Sequence, residues 1–210
     1  MSSKDKNMLR FSLNNTIRYL IASDFILFAA WGLIEPIFAI FITKKIPGGS
    51  AAMVGIAAAI YWISKSILQI PIAHVLDKNP GEQDDYRAII LGQIIVGIAS
   101  LLFISITKPL HLYIVQFIAA LGFALIIPAW GAIFTRHIDK GKEGTEWALD
   151  STILGIAAGI TGFLGGIIAE VFGFQLVFTI VAFMSFLSII FPFLASHATT
   201  KRYHKKAQLK

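Results

Sequence analysis

Asp24 and Glu35 stand eleven residues apart in one long apolar stretch. On a helix that is three turns plus about 20°, so the two carboxylates share a face, separated by roughly 16 Å along the axis. Phe28 and Trp31 lie between them. Glu35 precedes Pro36, whose ring removes a backbone donor and leaves the Gly32 carbonyl without its usual partner, which predicts a kink or opening there. A carboxylate beside a loosened backbone can take up a proton or hold an ion; the alternative for Asp24 is a hydrated position near a membrane interface. A second apolar stretch carries Gly55, Ala58, Trp62, Lys65 and Gln69 at spacings of three and four, a single face that is small at one end and polar at the other. A buried ammonium needs a counter-charge. Glu35 on an antiparallel neighbour would lie at similar depth, so a Glu35–Lys65 ion pair, structural or functional, is expected.

Farther along, Gln116, Ala120, Phe123, Ile127 and Trp130 fall on one helical stripe. Pockets mix aromatic walls with a few polar groups, so Gln116 and Trp130 are read as lining residues, with plain packing as the alternative. The expected solute or ion pathway is therefore Asp24, Trp31, Glu35, Lys65, Gln69, Gln116 and Trp130. Gly155, Gly159, Gly162 and Gly166 recur at four, three and four residues and form a flat strip that admits another backbone, within this bundle or from a second one.

Other chemistry is excluded. The chain has no cysteine, hence no disulfide, thiolate nucleophile or thiolate metal ligand. His74, His137, His197 and His204 sit near helix ends or in the tail without ligand spacing, and are read as interfacial or solvated; no metal site and no cofactor is expected. Glu82, Asp84 and Asp85 lack the spacing of a calcium loop and read as a solvated turn. An intramembrane serine protease needs a Ser in a glycine-rich turn and a His on another helix, a pair the deep stretches do not offer, so an enzyme is not expected.

The elements that must position these residues follow from composition. With 56% hydrophobic and 14% charged residues and a mean hydropathy of +0.74 over 210 residues, most of the chain must face lipid. A bilayer core about 30 Å thick needs roughly 20 apolar residues per helix. Six such stretches lie near 19–43, 51–75, 87–107, 109–135, 146–172 and 174–196, with Thr107-Lys108-Pro109 read as a hairpin between the third and fourth. This divides the chain into an N-terminal segment 1–18, a transmembrane domain 19–196 and a basic tail 197–210. The first stretch is too long, and with Asp24 and Glu35 too polar, for a cleavable signal. Lys4, Lys6, Arg10, Arg18, Lys78, Arg87, Arg136, Lys140, Lys142, Lys201, Arg202, Lys205, Lys206 and Lys210 fall on one side, against Lys44, Lys45 and Lys108 on the other. Basic residues near helix ends stay cytoplasmic, so both termini are expected inside a cell membrane. The basic tail suits anionic lipid rather than nucleic acid.

Several segments resemble the amino-terminal half of a major facilitator superfamily transporter. Ala73-His74-Val75-Leu76-Asp77-Lys78, with Gly81 following, is similar to the family's loop between helices two and three, and Ala73 stands where the family has glycine. Leu121 to Ala129, ending in Pro128-Ala129, resembles the fourth helix, with Gln116 in place of the usual arginine. Gly155 through Gly166 is similar to the glycine-rich fifth helix of family antiporters, and Gly173 to Phe178 to the junction that follows. The resemblance implies an all-α integral membrane fold of six transmembrane helices, two inverted three-helix repeats that make up half of a twelve-helix body. It further implies that helices one and four line a central cavity, and that Asp77, Lys78 and Arg87 belong to a gating loop. The second helix of one half would meet the fifth of the other, so Gly55 and Ala58 would face the glycine strip.

Two copies inserted in the same orientation could rebuild the body as a parallel homodimer, or a separate protein could supply the other half. The expected function is transport of a small solute by alternating access, coupled to protons or ions through Glu35 or Asp24. The competing expectation is a non-transporting scaffold or assembly partner derived from such a half.

Overall fold

The computed structural model describes residues 13–79 and 81–208, with side chains through residue 199; most of the N-terminal segment 1–18 lies outside the described residues. The Asn14 side chain caps α1 (Asn15–Ile34) by accepting from the Ile17 N–H at 3.0 Å. At Glu35–Ile37 the chain tightens into a 3-10 turn, where Pro36 supplies no donor, and then resumes as α2 (Phe38–Lys45). These pieces form the first span. α3 (Ala51–Leu76) is capped by Ser50, and α5 (Pro109–His137) starts with proline at a position where a missing N–H costs nothing. Between them α4 (Gln83–Ile104) ends before Ser105, so the hairpin at 107–109 is present. α6 (Glu143–Val171) turns at Gly173, whose φ of 86° favours glycine, into α7 (Phe174–Ser188) and α8 (Ile190–Gln208). The last helix continues through the segment expected as a separate tail.

Among the described residues six helical units are long and apolar enough to cross a membrane. All described regular structure is helical, which is the all-α fold expected. Hydrogen bonds between Thr16 and Thr199 at 3.2 Å and between Tyr86 and Thr199 at 2.9 Å bring the first, third and sixth spans together at one end of the bundle, so the first span begins on the side where the sixth ends.

The spans pair in a pattern that the inverted repeat explains. The second packs on the fourth as the fifth packs on the first; the third packs on the fourth as the sixth packs on the first; and the third meets the sixth. Exchanging spans one to three with four to six leaves this list unchanged, the signature of two interlocked three-helix repeats. Because lipid tails are as apolar as the helix surfaces, close backbone approach carries much of this packing. Gly92 and Gly122 meet where the third span crosses the fourth: a Cβ on Gly92 would lie 2.6 Å from the Gly122 carbonyl oxygen. A Cβ on Gly165 would strike the Leu33 backbone, and one on Gly32 would strike Thr161.

This arrangement leaves the second and fifth spans at the flanks. Only 17% and 11% of their most apolar stretches are buried, against 50% in the first, third and fourth spans. The core lies between the central four spans, with Phe41, Phe103 and Phe178 in mutual ring contact toward one end and Ile17, Tyr86 and Phe134 toward the other.

Candidate functional site

The first span presents Phe28, Trp31, Glu35 and Phe38 at helical spacing to a cavity of about 360 Å³. The second span adds Ala58, Tyr61, Trp62 and Lys65, the fourth Gln116, Phe123 and Ile127, and the fifth Ala158. The cavity therefore lies in the gap between the two flanking spans, and its size falls within the range of small-molecule sites. Its aromatic wall is ordered by ring contacts. Trp31 stacks on Tyr61 at 6.5 Å between centroids and meets Phe123 edge-on at 5.1 Å. The Lys65 ammonium rests 3.9 Å from the centre of the Trp62 ring and 5.7 Å from that of Tyr61. Trp31 Nε1 is buried without a hydrogen-bond partner among the described residues, and Gln116 is buried in the wall.

Glu35 and Lys65 both line this cavity, but they do not form the expected ion pair: among the described residues neither has an oppositely charged group within 4.0 Å. The reason is register. Trp31 and Tyr61 stack at one level, and Glu35 lies four residues beyond Trp31 while Lys65 lies four beyond Tyr61 on an antiparallel helix. The two therefore diverge, by about 6 Å each and about 12 Å in all between their backbones at 1.5 Å per residue.

The remaining expected pathway residues lie elsewhere. Asp24 sits one turn before Phe28, the earliest lining residue of the first span; it is buried rather than hydrated, within electrostatic reach of Asp150 on the fifth span. Trp130 is buried away from the cavity, donating from Nε1 to the Leu20 carbonyl at 3.4 Å and stacking on Phe134 at 4.5 Å. Gln69 is half-buried, one turn past Lys65 and outside the lining. Glu146 and Asp150, four residues apart on the fifth span, are buried with carboxylate oxygens unpartnered among the described residues. Their spacing within an apolar stretch was the available signal.

At the end of the bundle that carries Thr16 and Thr199, the acidic turn is not solvated. Glu82 and Asp85 are buried, because the last turn of the fourth span lays Arg136 and His137 across them. Arg136 donates to Asp85 and reaches Asp77 at 4.0 Å, while His137 Nε2 lies 3.0 Å from Glu82 Oε2, so this histidine is paired rather than solvated. The Asn14 side-chain amide donates to the His137 carbonyl at 2.7 Å, adding the first span to the clasp. Asp84 is half-buried and accepts from Asn79 at 3.0 Å. Lys78 and Arg87, expected beside Asp77, enter no ion pair among the described residues. Acidic groups in the first turn of one helix and basic groups in the last turn of its neighbour also complement both helix dipoles.

Of the small residues assigned to helix contacts, Gly55, Gly155, Gly159 and Gly166 have open space where a Cβ would stand. Gly162 instead faces the first span, where a Cβ would lie 3.6 Å from the Gly32 carbonyl oxygen, and Ala58 lines the cavity. Among the glycines of the fifth span the closest internal approach is made by Gly165, against the Leu33 backbone.

A family profile described as Major Facilitator Superfamily matches residues 20–210. Over 163 residues the chain is 23% identical to an uncharacterized MFS-type transporter of Methanocaldococcus jannaschii, an alignment covering 78% of this chain and 41% of that protein. The crystal structure of the POT family transporter PepTSo superposes with a TM-score of 0.62 at 15% identity, covering 87% of this chain and 37% of the other, a likeness of fold. The chain thus spans about two fifths of the length of the relatives it matches.

Proposed function

The chain belongs to the Major Facilitator Superfamily, and from that premise we propose that it forms one half of a solute pathway, moving a small solute by alternating access together with a second six-helix unit. The observation that carries this reading is a cavity set between the two least buried spans, with Glu35, Lys65 and Gln116 facing it. Polar groups in a membrane span are retained where they face a cavity or partner, and a cavity walled on one side needs an opposing wall to exclude lipid. The second and fifth spans fit that role. Ile56, Ile63 and Ile67 on one and Ile156, Ile160 and Phe163 on the other are exposed, and Gly55, Gly155, Gly159 and Gly166 leave room for a close-approaching backbone.

The second unit we propose is another copy of this chain, inserted in the same orientation and related by a two-fold axis along the membrane normal. The excess of basic residues on one side supports cytoplasmic termini in the cell membrane. Glu35 is the proposed coupling group within the cavity, with Asp24 beneath it as the other choice. The clasp of Asp77 with Arg136 and Asp85 would hold one end of the spans together and release it in the opposite state, with Lys78 and Arg87 as the flanking charges of that loop. Family membership favours transport over catalysis.

The test is reconstitution of the full chain in lipid, with its oligomeric state read by native mass spectrometry and its activity by uptake of a solute panel into proteoliposomes under an imposed pH gradient. A dimer with saturable uptake reduced by Glu35→Gln is the expected result. A chain that stays solitary in lipid would end the homodimer proposal, and an assembled dimer that passes no solute would favour the scaffold.

A further inference from the structure

Among the described residues neither charged side chain of the cavity, Lys65 or Glu35, has a counter-ion within 4.0 Å. Lys65 is 9% exposed, and the only groups described against its ammonium are the Trp62 and Tyr61 rings. A ring face offsets part of the desolvation of an ammonium but leaves its hydrogen bonds unmade. On the same cavity Trp31 offers an indole N–H buried without a partner among the described residues. This end is built to receive an anionic group. Beyond the Trp31–Tyr61 stack, Glu35 presents an exposed carboxylate with no cation within 4.0 Å among the described residues, so the other end is built to receive a cation. The stretch between them is aromatic, formed by Trp31, Tyr61 and Phe123.

We infer that the cavity takes a zwitterionic solute with an extended apolar body, its carboxylate at Lys65 and its ammonium at Glu35. The inference rests on the reading of this cavity as the solute site. The backbone levels of the two residues differ by about 12 Å, and the side chains can lean toward each other, so the matching charge separation is on the order of 10 Å. A solute carrying a single charge leaves the opposite group unpaired when the second unit closes the cavity. A solute with two like charges meets repulsion at one end. Both penalties select against the wrong solute rather than for the right one.

The full chain in lipid nanodiscs is titrated with ω-aminooctanoate, which spans about 10 Å between its charged ends at roughly 1.25 Å per bond, a length chosen to match the axial estimate from helical rise. The comparison solutes are octanoate, octylammonium and the short ω-aminobutyrate, with saturable tryptophan fluorescence change as the readout. On the unaltered protein ω-aminooctanoate is expected to bind at least about tenfold more tightly than each of the other three, the loss of one hydrogen-bonded charge. Glu35→Gln should abolish the preference over octanoate while keeping that over octylammonium, and Lys65→Met should do the reverse. Equal affinity for octanoate and ω-aminooctanoate on the unaltered protein overturns the inference, as does the absence of saturable change with all four solutes. Uptake into proteoliposomes separates the two readings. Charge-selective binding without passage upholds the site and sinks the transporter, while passage of a solute with no dependence on either charge sinks the site and leaves the transporter standing.

Discussion

Replacing Arg136 by methionine removes the cation that serves two acids in very different settings. Asp85 has a side chain 2% exposed and a direct hydrogen bond from the guanidinium; Asp77 is 70% exposed and 4.0 Å away. The exposed pair contributes between nothing and about 1 kcal/mol, because water already solvates Asp77 and both long side chains must be held still. Asp85 has no such recourse. Its Oδ1 already lacks a hydrogen bond among the described residues, and loss of Arg136 strips the partner from Oδ2 as well. Leaving a buried group unsatisfied costs about 1–3 kcal/mol, more when it is charged, and the partial exposure of Arg136 argues for the lower part of a buried-pair loss. Arg136→Met should therefore destabilise the folded bundle by about 2–3 kcal/mol, while Asp77→Asn stays below about 1 kcal/mol. Adding Asp85→Asn to Arg136→Met should recover a good part of the loss, because the amide is neutral. Equilibrium unfolding of the reconstituted protein by a mixed-micelle denaturant, arranged as a double-mutant cycle, measures all three. If Arg136→Met proves no worse than Asp77→Asn, or if the double change is additive, the clasp is not the buried contact described here.

Glycine substitutions separate internal crossings from outward faces. Gly92→Ala puts a methyl 2.6 Å from the Gly122 carbonyl oxygen where ordinary contact begins at 3.4 Å, so the third and fourth spans must part by at least 3.4 − 2.6 = 0.8 Å. A loss of about 1–3 kcal/mol in thermal or denaturant unfolding is expected. Gly159→Leu meets open space within the unit, so its unfolding should match the parent while dimer yield in crosslinking falls; an unchanged dimer would remove the fifth span from the interface. Trp130→Phe keeps the stacking on Phe134 but deletes the long hydrogen bond to the Leu20 carbonyl, so a stability loss of about 0.5–1.5 kcal/mol with no change in solute binding is expected. A binding defect in that variant would return Trp130 to the pathway.

Much of the architecture was legible along the chain because its cause is local. Hydropathy sets where a helix can cross about 30 Å of hydrocarbon, so six spans could be counted and the short hairpin at Lys108-Pro109 kept. Pro36 announced the change of helix type at Glu35–Ile37, since a missing N–H acts on its own turn. The stripe of Gln116, Phe123 and Ile127 was legible for the same reason: residues three and four apart share a face whatever they pack against.

What lies across from a given side chain was not legible, because it depends on the vertical register of one helix against another. Matching Glu35 to Lys65 by sequence depth missed by about two turns, since it is Trp31, and not Glu35, that stands level with Tyr61 on the second span. The acidic turn looked solvated because nothing near it in sequence covers it; Arg136 and His137 reach it from the end of a span more than fifty residues away. Likewise the periodic glycines Gly155 and Gly159 look outward, while the crossings are made by Gly32, Gly92, Gly122 and Gly165, which no period marks. The amino-acid order by itself determined the six membrane helices, their breaks and the set of polar groups inside them, through rules that act within a turn or a bilayer thickness. The tertiary structure alone decided which of those groups meet, because that is fixed by where backbones without side chains can touch.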